Sequence, residues 1–245
     1  MLTVESLRVQ YGGVVAVDDV SFEIAAGQLV GLIGPNGAGK TTLVDALTGS
    51  VRPAQGRVVF DGVDVTGRAA YRLARAGIAR TFQSVELFGD LNVRENLLVA
   101  AETPSVFGAL AGVFKPAGVL PDAVEWAIEV TRIGDIAERY PDEISHGQRK
   151  VVGVARALAT RPKLLLLDEP AAGLDTDETR ELGERLRGLT GHGVTQLLID
   201  HDMGLVLEVC DRVAVIDFGK LIAFGTPSEI RANPRVVEAY LGTAA

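Results

Sequence analysis

The sequence predicts an α/β fold, a largely parallel sheet with a helical segment inserted into it. Three observations predict this. An apolar strand, Leu29 to Ile33, runs straight into a glycine-rich turn and then a helical pattern. A second apolar run, Leu164 to Leu167, ends in the acidic pair Asp168-Glu169. The last third alternates strand patterns with helix patterns, as parallel strands joined by crossover helices do.

Taken in order, the first third reads mainly as strands and turns. Leu7 to Tyr11 alternates apolar and polar residues and breaks at Gly12-Gly13. Val20 to Ile24 alternates again, as does Gly56 to Phe60, which enters the turn pair Asp61-Gly62. The middle, Ser84 to Ala159, reads as helical, with helices expected over Asn92 to Ala101 and Pro121 to Ile133, the proline at the first helical position. Thr103 to Leu120 reads as an irregular or short-helical connection. Beyond it come a charged amphipathic helix over Asp177–Leu189, a strand over Thr195–Ile199 and a helix over Met203–Cys210. A strand over Arg212–Ile216 then turns through Asp217 to Lys220 into Leu221–Phe224.

Bulk properties narrow the function. With 245 residues, 47% of them hydrophobic, the chain can bury one large core. The net charge of −8 argues against a nucleic-acid partner and against docking on anionic lipid. A single cysteine, Cys210, rules out an internal disulfide, fits a reducing compartment and reads as a buried apolar residue. The start, Met1 to Ser6, lacks the basic and apolar regions of a signal peptide, and no run approaches the ~20 apolar residues of a membrane span. A membrane role would therefore come through a partner.

The sharpest motif is Gly34-Pro35-Asn36-Gly37-Ala38-Gly39-Lys40-Thr41-Thr42, which fits G-x-x-x-x-G-K-[ST]. Its glycines let the backbone wrap with N–H groups pointing inward, cradling the β- and γ-phosphates of a nucleotide. Lys40 supplies a point charge, Thr41 a hydroxyl ligand for Mg²⁺, and Thr42 a contact to the α-phosphate. The helix expected to start at Gly39 adds its positive end. At the end of the second apolar strand, Asp168 is expected to hold Mg²⁺ through its water shell. Glu169 is expected to orient and polarise an attacking water as general base. Upstream, Ser145-His146-Gly147-Gln148 opens the helix that runs to Ala159. Ser145 and Gln148 fit a capping box, and a helix start with serine and glycine also suits a phosphate; both readings can hold together.

Together these motifs resemble the ATP-binding-cassette (ABC) ATPases over nearly the whole chain. The resemblance implies a P-loop NTPase (RecA-like) core over 1–83 and 160–245, with an N-terminal antiparallel β subdomain. An α-helical subdomain over 84–159 would carry the family signature, here Ile144-Ser145-His146-Gly147-Gln148, with His146 in place of the first signature glycine. Tyr11 matches the aromatic that stacks on adenine, though a tyrosine ending a strand can simply be packed, and Val17 the apolar residue beside the base. Gln83 matches a glutamine that contacts Mg²⁺ and senses the permease. Gly173-Leu174-Asp175 resembles the loop through which two cassettes communicate, and His201 the switch histidine at the γ-phosphate. The cofactors implied are ATP and Mg²⁺.

Narrower stretches resemble the importers of branched-chain amino acids and related hydrophobic solutes. They are Arg80-Thr81-Phe82-Gln83, Leu87-Phe88, Leu91 to Leu97, Asp168 to Leu174, His201-Asp202-Met203, and the end from Gly225-Thr226-Pro227 to Gly242. A urea or amide importer of the same branch is an alternative, and a non-transport cassette protein another. The latter usually carries a coiled-coil insertion or two cassettes, neither of which is evident. A nucleotide-binding subunit without turnover would be expected to lack Glu169 or His201. The implied partners are a second cassette, which makes a homo- or heterodimer, integral-membrane permeases and, indirectly, a solute-binding protein. The implied location is the cytoplasmic face of the plasma membrane. In the family, two nucleotides are sandwiched head to tail, with Ser145 and Gly147 facing the neighbour's nucleotide.

Overall fold

The computed structural model describes residues 1–81, 86–101 and 119–241. Strands β1 (Leu2–Tyr11), β2 (Val14–Ile24), β4 (Gln55–Phe60) and β5 (Val63–Asp64) form an antiparallel sheet in the order β2-β1-β4-β5. The Asp61-Gly62 pair closes the β4–β5 hairpin with both residues at positive φ, 52° and 77°, as a tight primed turn requires. β1 and β2 begin five and six residues before the alternation read from sequence.

The second sheet holds β3 (Leu29–Ile33), β6 (Ile78–Arg80), β7 (Leu164–Asp168), β8 (Thr195–Ile199), β9 (Arg212–Asp217) and β10 (Lys220–Gly225), in the order β10-β9-β3-β8-β7-β6. Every pair is parallel except the β9–β10 hairpin. β3 and the first four residues of β7 read as apolar runs because both faces are covered. Leu164 and Leu166 point to one apolar cluster and Leu165 and Leu167 to the other.

Those two clusters set the layers. On one face, helix α1 (Lys40–Leu47) buries Leu43, Val44 and Leu47 with Val30 and Leu32 of β3 and the inner face of the antiparallel sheet. On the other, β3 offers Leu29 and Ile33 to helices α3 (Val93–Ala101), α4 (Val119–Thr131), α5 (His146–Leu158), α6 (Thr176–Thr190) and α7 (Met203–Val209). The inserted helical segment thus lies on the face opposite the phosphate-loop helix.

Several boundaries differ from expectation. α4 begins at Val119, so Pro121 is its third residue, not its first; the opening N–H groups of a helix have no intrahelical acceptor, so proline is tolerated there. α1 begins at Lys40, and Gly39 is its left-handed cap at φ 103°. Helices α2 (Ala70–Ala76), α8 (Pro227–Ala232) and α9 (Pro234–Leu241) and the short strand β6 had no reading in the sequence. Most of the connection over 103–120 lies outside the described residues. No described helix is long and apolar enough to cross a membrane.

Candidate functional site

The parallel sheet brings the ends of β3, β7 and β8 to one edge. The glycine-rich loop leaves β3 there, Asp168 closes β7, and Asp200 and His201 follow β8. This is the carboxyl edge of the sheet, where ligands of open α/β folds bind.

The loop's backbone demands its glycines. A Cβ at Gly34 would lie 2.1 Å from the Ile216 carbonyl oxygen, and one at Gly39, 2.4 Å from that of Ala16. Gly37, at φ 79°, would meet nothing within 4 Å and so faces open space. Helix α1 has no side-chain cap and no acidic residue in its first turn, which leaves its N-terminal N–H groups available to an anion. The Lys40 ammonium spans the loop, donating to the carbonyls of Gly34 at 2.6 Å and Pro35 at 3.0 Å. Burial pushes its pKa down and the nearby Glu169 carboxylate pulls it back up.

The two adjacent carboxylates sit in different surroundings. Asp168 is 13% exposed, and its Oδ2 accepts a hydrogen bond from Arg80 at 2.6 Å. Glu169 is more open, at 28%, and its backbone stands at φ 47°, left-handed for a non-glycine residue. Its N–H donates to the Ile199 carbonyl at 2.8 Å, which ties the turn to the end of β8. His201 Nδ1 lies 4.0 Å from Glu169 Oε2 and 3.6 Å from Asp200 Oδ1. Glu169 is thus near enough to the phosphate loop to raise the Lys40 pKa, and its carboxylate lies beside His201.

The donor set fits a hard cation. Thr41 offers a hydroxyl and Asp168 a carboxylate, and both are oxygen donors of the kind Mg²⁺ prefers. Among the described residues no group of three His, Cys, Asp or Glu could hold a metal by itself.

Other expected residues fall as follows. Tyr11 ends β1 with its residue 51% exposed, so it is not a packed core aromatic. Val17 is 0% exposed and lies in the core, so it supports the neighbouring backbone and offers no surface to a base. Ser145 caps α5: its Oγ accepts from Gln148 N–H at 3.1 Å, and Gln148 Oε1 accepts from Ser145 N–H at 2.9 Å. Gly147 lies against α6, where a Cβ would meet Glu178 Oε1 at 2.7 Å, and the His146 ring faces Gly173. Gln83 lies outside the described residues.

Sequence reasoning missed three residues at or near the site. Asp200, 1% exposed, accepts from Asp202 N–H at 3.0 Å and Ala171 N–H at 3.4 Å, bracing the turns after β7 and β8. Tyr240 reaches back to the Gly34 backbone, and burial pushes its hydroxyl pKa up to about 12. Arg80 pairs with Asp168. Arg80 and Tyr240, both partly buried, carried no local signal for these contacts, because the partners lie 88 and 206 positions away.

Residues 17–172 match the ABC transporter family, and residues 220–245 match the branched-chain amino acid ATP-binding cassette transporter family. The chain is 41% identical over 251 residues to the high-affinity branched-chain amino acid transport ATP-binding protein BraF of Pseudomonas aeruginosa, covering 100% of this chain and 98% of that one. It is likewise 41% identical over 254 residues to LivG of Escherichia coli, a protein of the same description, with the same coverage. Among solved structures, the ADP conformation of an ATP-binding cassette of an ABC transporter superposes with a TM-score of 0.85 at 31% identity, over 99% of this chain and 98% of that one.

Proposed function

Since the chain belongs to the ABC transporter family of ATP-binding cassettes, we propose that it is the ATP-hydrolysing subunit of an importer for branched-chain amino acids. The observation that carries the hydrolytic reading is the meeting of Lys40, Glu169 and His201 at one sheet edge. The solute is supported by the family matched at residues 220–245 and by the names of the relatives.

The phosphate loop binds ATP through backbone N–H groups and the α1 N-terminus, with Lys40 on the β- and γ-phosphates and Thr42 on the α-phosphate. Pro35, Asn36 and Ala38 carry the loop between its glycines, and Tyr11 stacks on the base. Thr41, Asp168 and Gln83 would hold Mg²⁺, which would supply charge neutralisation to the phosphates. Glu169 takes a proton from the water that attacks the γ-phosphorus, the bond from that phosphorus to the β–γ bridging oxygen breaks so that ADP leaves, and His201 donates a hydrogen bond to the γ-phosphate.

Ser145, Gly147 and Gln148 serve a second cassette's nucleotide in this reading. It is supported by the layer arrangement, in which α5 and α1 belong to opposite faces of one sheet. Turnover then needs a dimer, homo- or heteromeric. A groove of about 1460 Å³ lined by Tyr71, Arg80, Phe88 and Arg156 lies between the core and the helical segment and suits a permease element. Through that partner the chain would work at the cytoplasmic face of the membrane, with a solute-binding protein contributing from the other side.

Substituting Glu169→Gln tests the reaction. ATP should still bind, an ATP-dependent dimer should accumulate in size-exclusion chromatography, and turnover should drop by about 10²–10⁴-fold. Turnover at the unsubstituted level would remove Glu169 from the base role. Leucine-stimulated ATPase activity in vesicles with the permeases and binding protein tests the solute; stimulation by urea or an amide instead would overturn that assignment.

A further inference from the structure

Arg80 is the last residue of β6, directly beside Leu166 of β7 in the parallel register. Its guanidinium is almost enclosed and forks between two carboxylates on two other elements. Nη2 donates to Asp168 Oδ2 at 2.6 Å and Nη1 to Asp45 Oδ1 at 2.6 Å. The same Nη1 lies 3.4 Å from Thr48 Oγ1. Thr81, the next residue, donates its N–H to the Leu166 carbonyl at 2.9 Å, and its hydroxyl accepts the Asp168 N–H at 3.3 Å. The end of β6 therefore holds Asp168 by both side chain and backbone.

The geometry points to Arg80 as a positioning residue for the Mg²⁺-nucleotide site, clamping β7 to α1 so that Asp168 and Thr41 keep a fixed separation. Asp45 lies four residues after Thr41 on α1, one helical turn away. The two residues expected at the ion thus sit on the two elements that Arg80 joins. A planar guanidinium can hold two carboxylates in fixed directions, which an ammonium cannot do. Burial works against the guanidinium's charge, but hydrogen bonds to Asp168 and Asp45 outweigh it and keep the group ionised. This inference rests on the reading of Asp168 as the Mg²⁺ carboxylate.

The test measures binding of a fluorescent ATP analogue to the full chain as Mg²⁺ is titrated, with binding in EDTA and thermal unfolding as controls. Groups that orient a metal ligand typically alter metal affinity by about 10–100-fold when removed. Arg80→Met should therefore raise the Mg²⁺ needed for half-maximal enhancement at least about tenfold, while binding in EDTA stays unchanged. Arg80→Lys, which keeps the charge but can reach only one carboxylate, should show a smaller rise, and it carries the test if Arg80→Met does not fold. A Mg²⁺ requirement unchanged in the folded variants would overturn the inference, since a purely structural arginine would alter thermal stability alone. So would a lowered requirement, which would make Arg80 a competitor of the ion. Asp168→Asn is run in parallel. If it shifts the Mg²⁺ requirement and Arg80 variants do not, the clamp alone fails; if it shifts nothing, the underlying reading of Asp168 fails.

Discussion

The cap that Ser145 makes and the phosphate contact proposed for it can be separated by one pair of substitutions. Ser145 caps α5 in a reciprocal box with Gln148, and in the proposed dimer it faces a neighbour's phosphate. Ser145→Ala deletes the acceptor for the Gln148 N–H while leaving the Gln148 side chain on the residue 145 N–H. Loss of an N-cap costs about 1 kcal/mol. For a chain of 245 residues that corresponds to a fall in Tm of roughly 2–4 °C. Ser145→Asp restores an equally good cap, so its Tm should return to within about a degree of the original. Its carboxylate would, however, stand where a phosphate must approach. Two unit charges 4 Å apart at an effective dielectric constant of 20 repel by about 4 kcal/mol, and even a third of that is about tenfold in rate. Differential scanning calorimetry without nucleotide reads the cap, and steady-state phosphate release reads the site. ATP binding to the isolated chain should be unchanged in both, because Ser145 serves the other nucleotide. Full turnover in Ser145→Asp would reduce the serine to a cap and refute the phosphate role.

Tyr11→Ala should lower ATP affinity by about tenfold, in the range of base–aromatic stacking at roughly 1–3 kcal/mol, while Tm barely moves because the ring is half exposed; equal nucleotide titrations would dismiss the stacking role. Burial pushes the Cys210 thiol above its ordinary value of 9.0, so the folded chain should resist iodoacetamide at pH 8. The same shift has a sign in stability. Above pH 9 the unfolded chain releases the thiol proton and the folded chain keeps it, so stability should fall as pH rises. Cys210→Ala should remove that part of the slope, as read by urea melts at pH 8 and pH 10.

Much of this was legible because local chemistry dictated it. Leu29–Ile33 has the same limits in sequence and structure, since a fully buried strand is an unbroken apolar run bounded by glycine. The Ser145 box was readable because its partner is three residues away. Elements that depend on distant partners were not. β6 has three residues and exists because β7 is there to pair with it. Asn96, buried on α3, takes its meaning from the turn it holds, donating to the carbonyls of Phe88, Leu91 and Asn92 and accepting the Phe88 N–H. Val17 was read as a base contact from its place in a motif, whereas the pairing of β2 with β1 turns it inward.

Asp168 and Glu169 are neighbours in the chain, yet one backbone angle puts them in different surroundings, as the two roles proposed for them require. Had Glu169 continued the strand, alternation would have sent its side chain toward the helical layer beneath Leu165 and Leu167. Its left-handed φ of 47° ends the strand instead, and its N–H bond to Ile199 holds that turn against β8. A non-glycine residue in this region costs about 1–3 kcal/mol and persists only where its surroundings enforce it. Asp168 stays in the strand, paired with Arg80, as suits the fixed carboxylate that the proposed Mg²⁺ site asks for. Glu169 emerges into a more open position beside His201, from which the proposed general base would act. Glycine at position 169 would relieve the backbone and lose the base. Asp there would keep the charge but retract it by one methylene, so the base role proposed for this strained position asks for the reach of a glutamate.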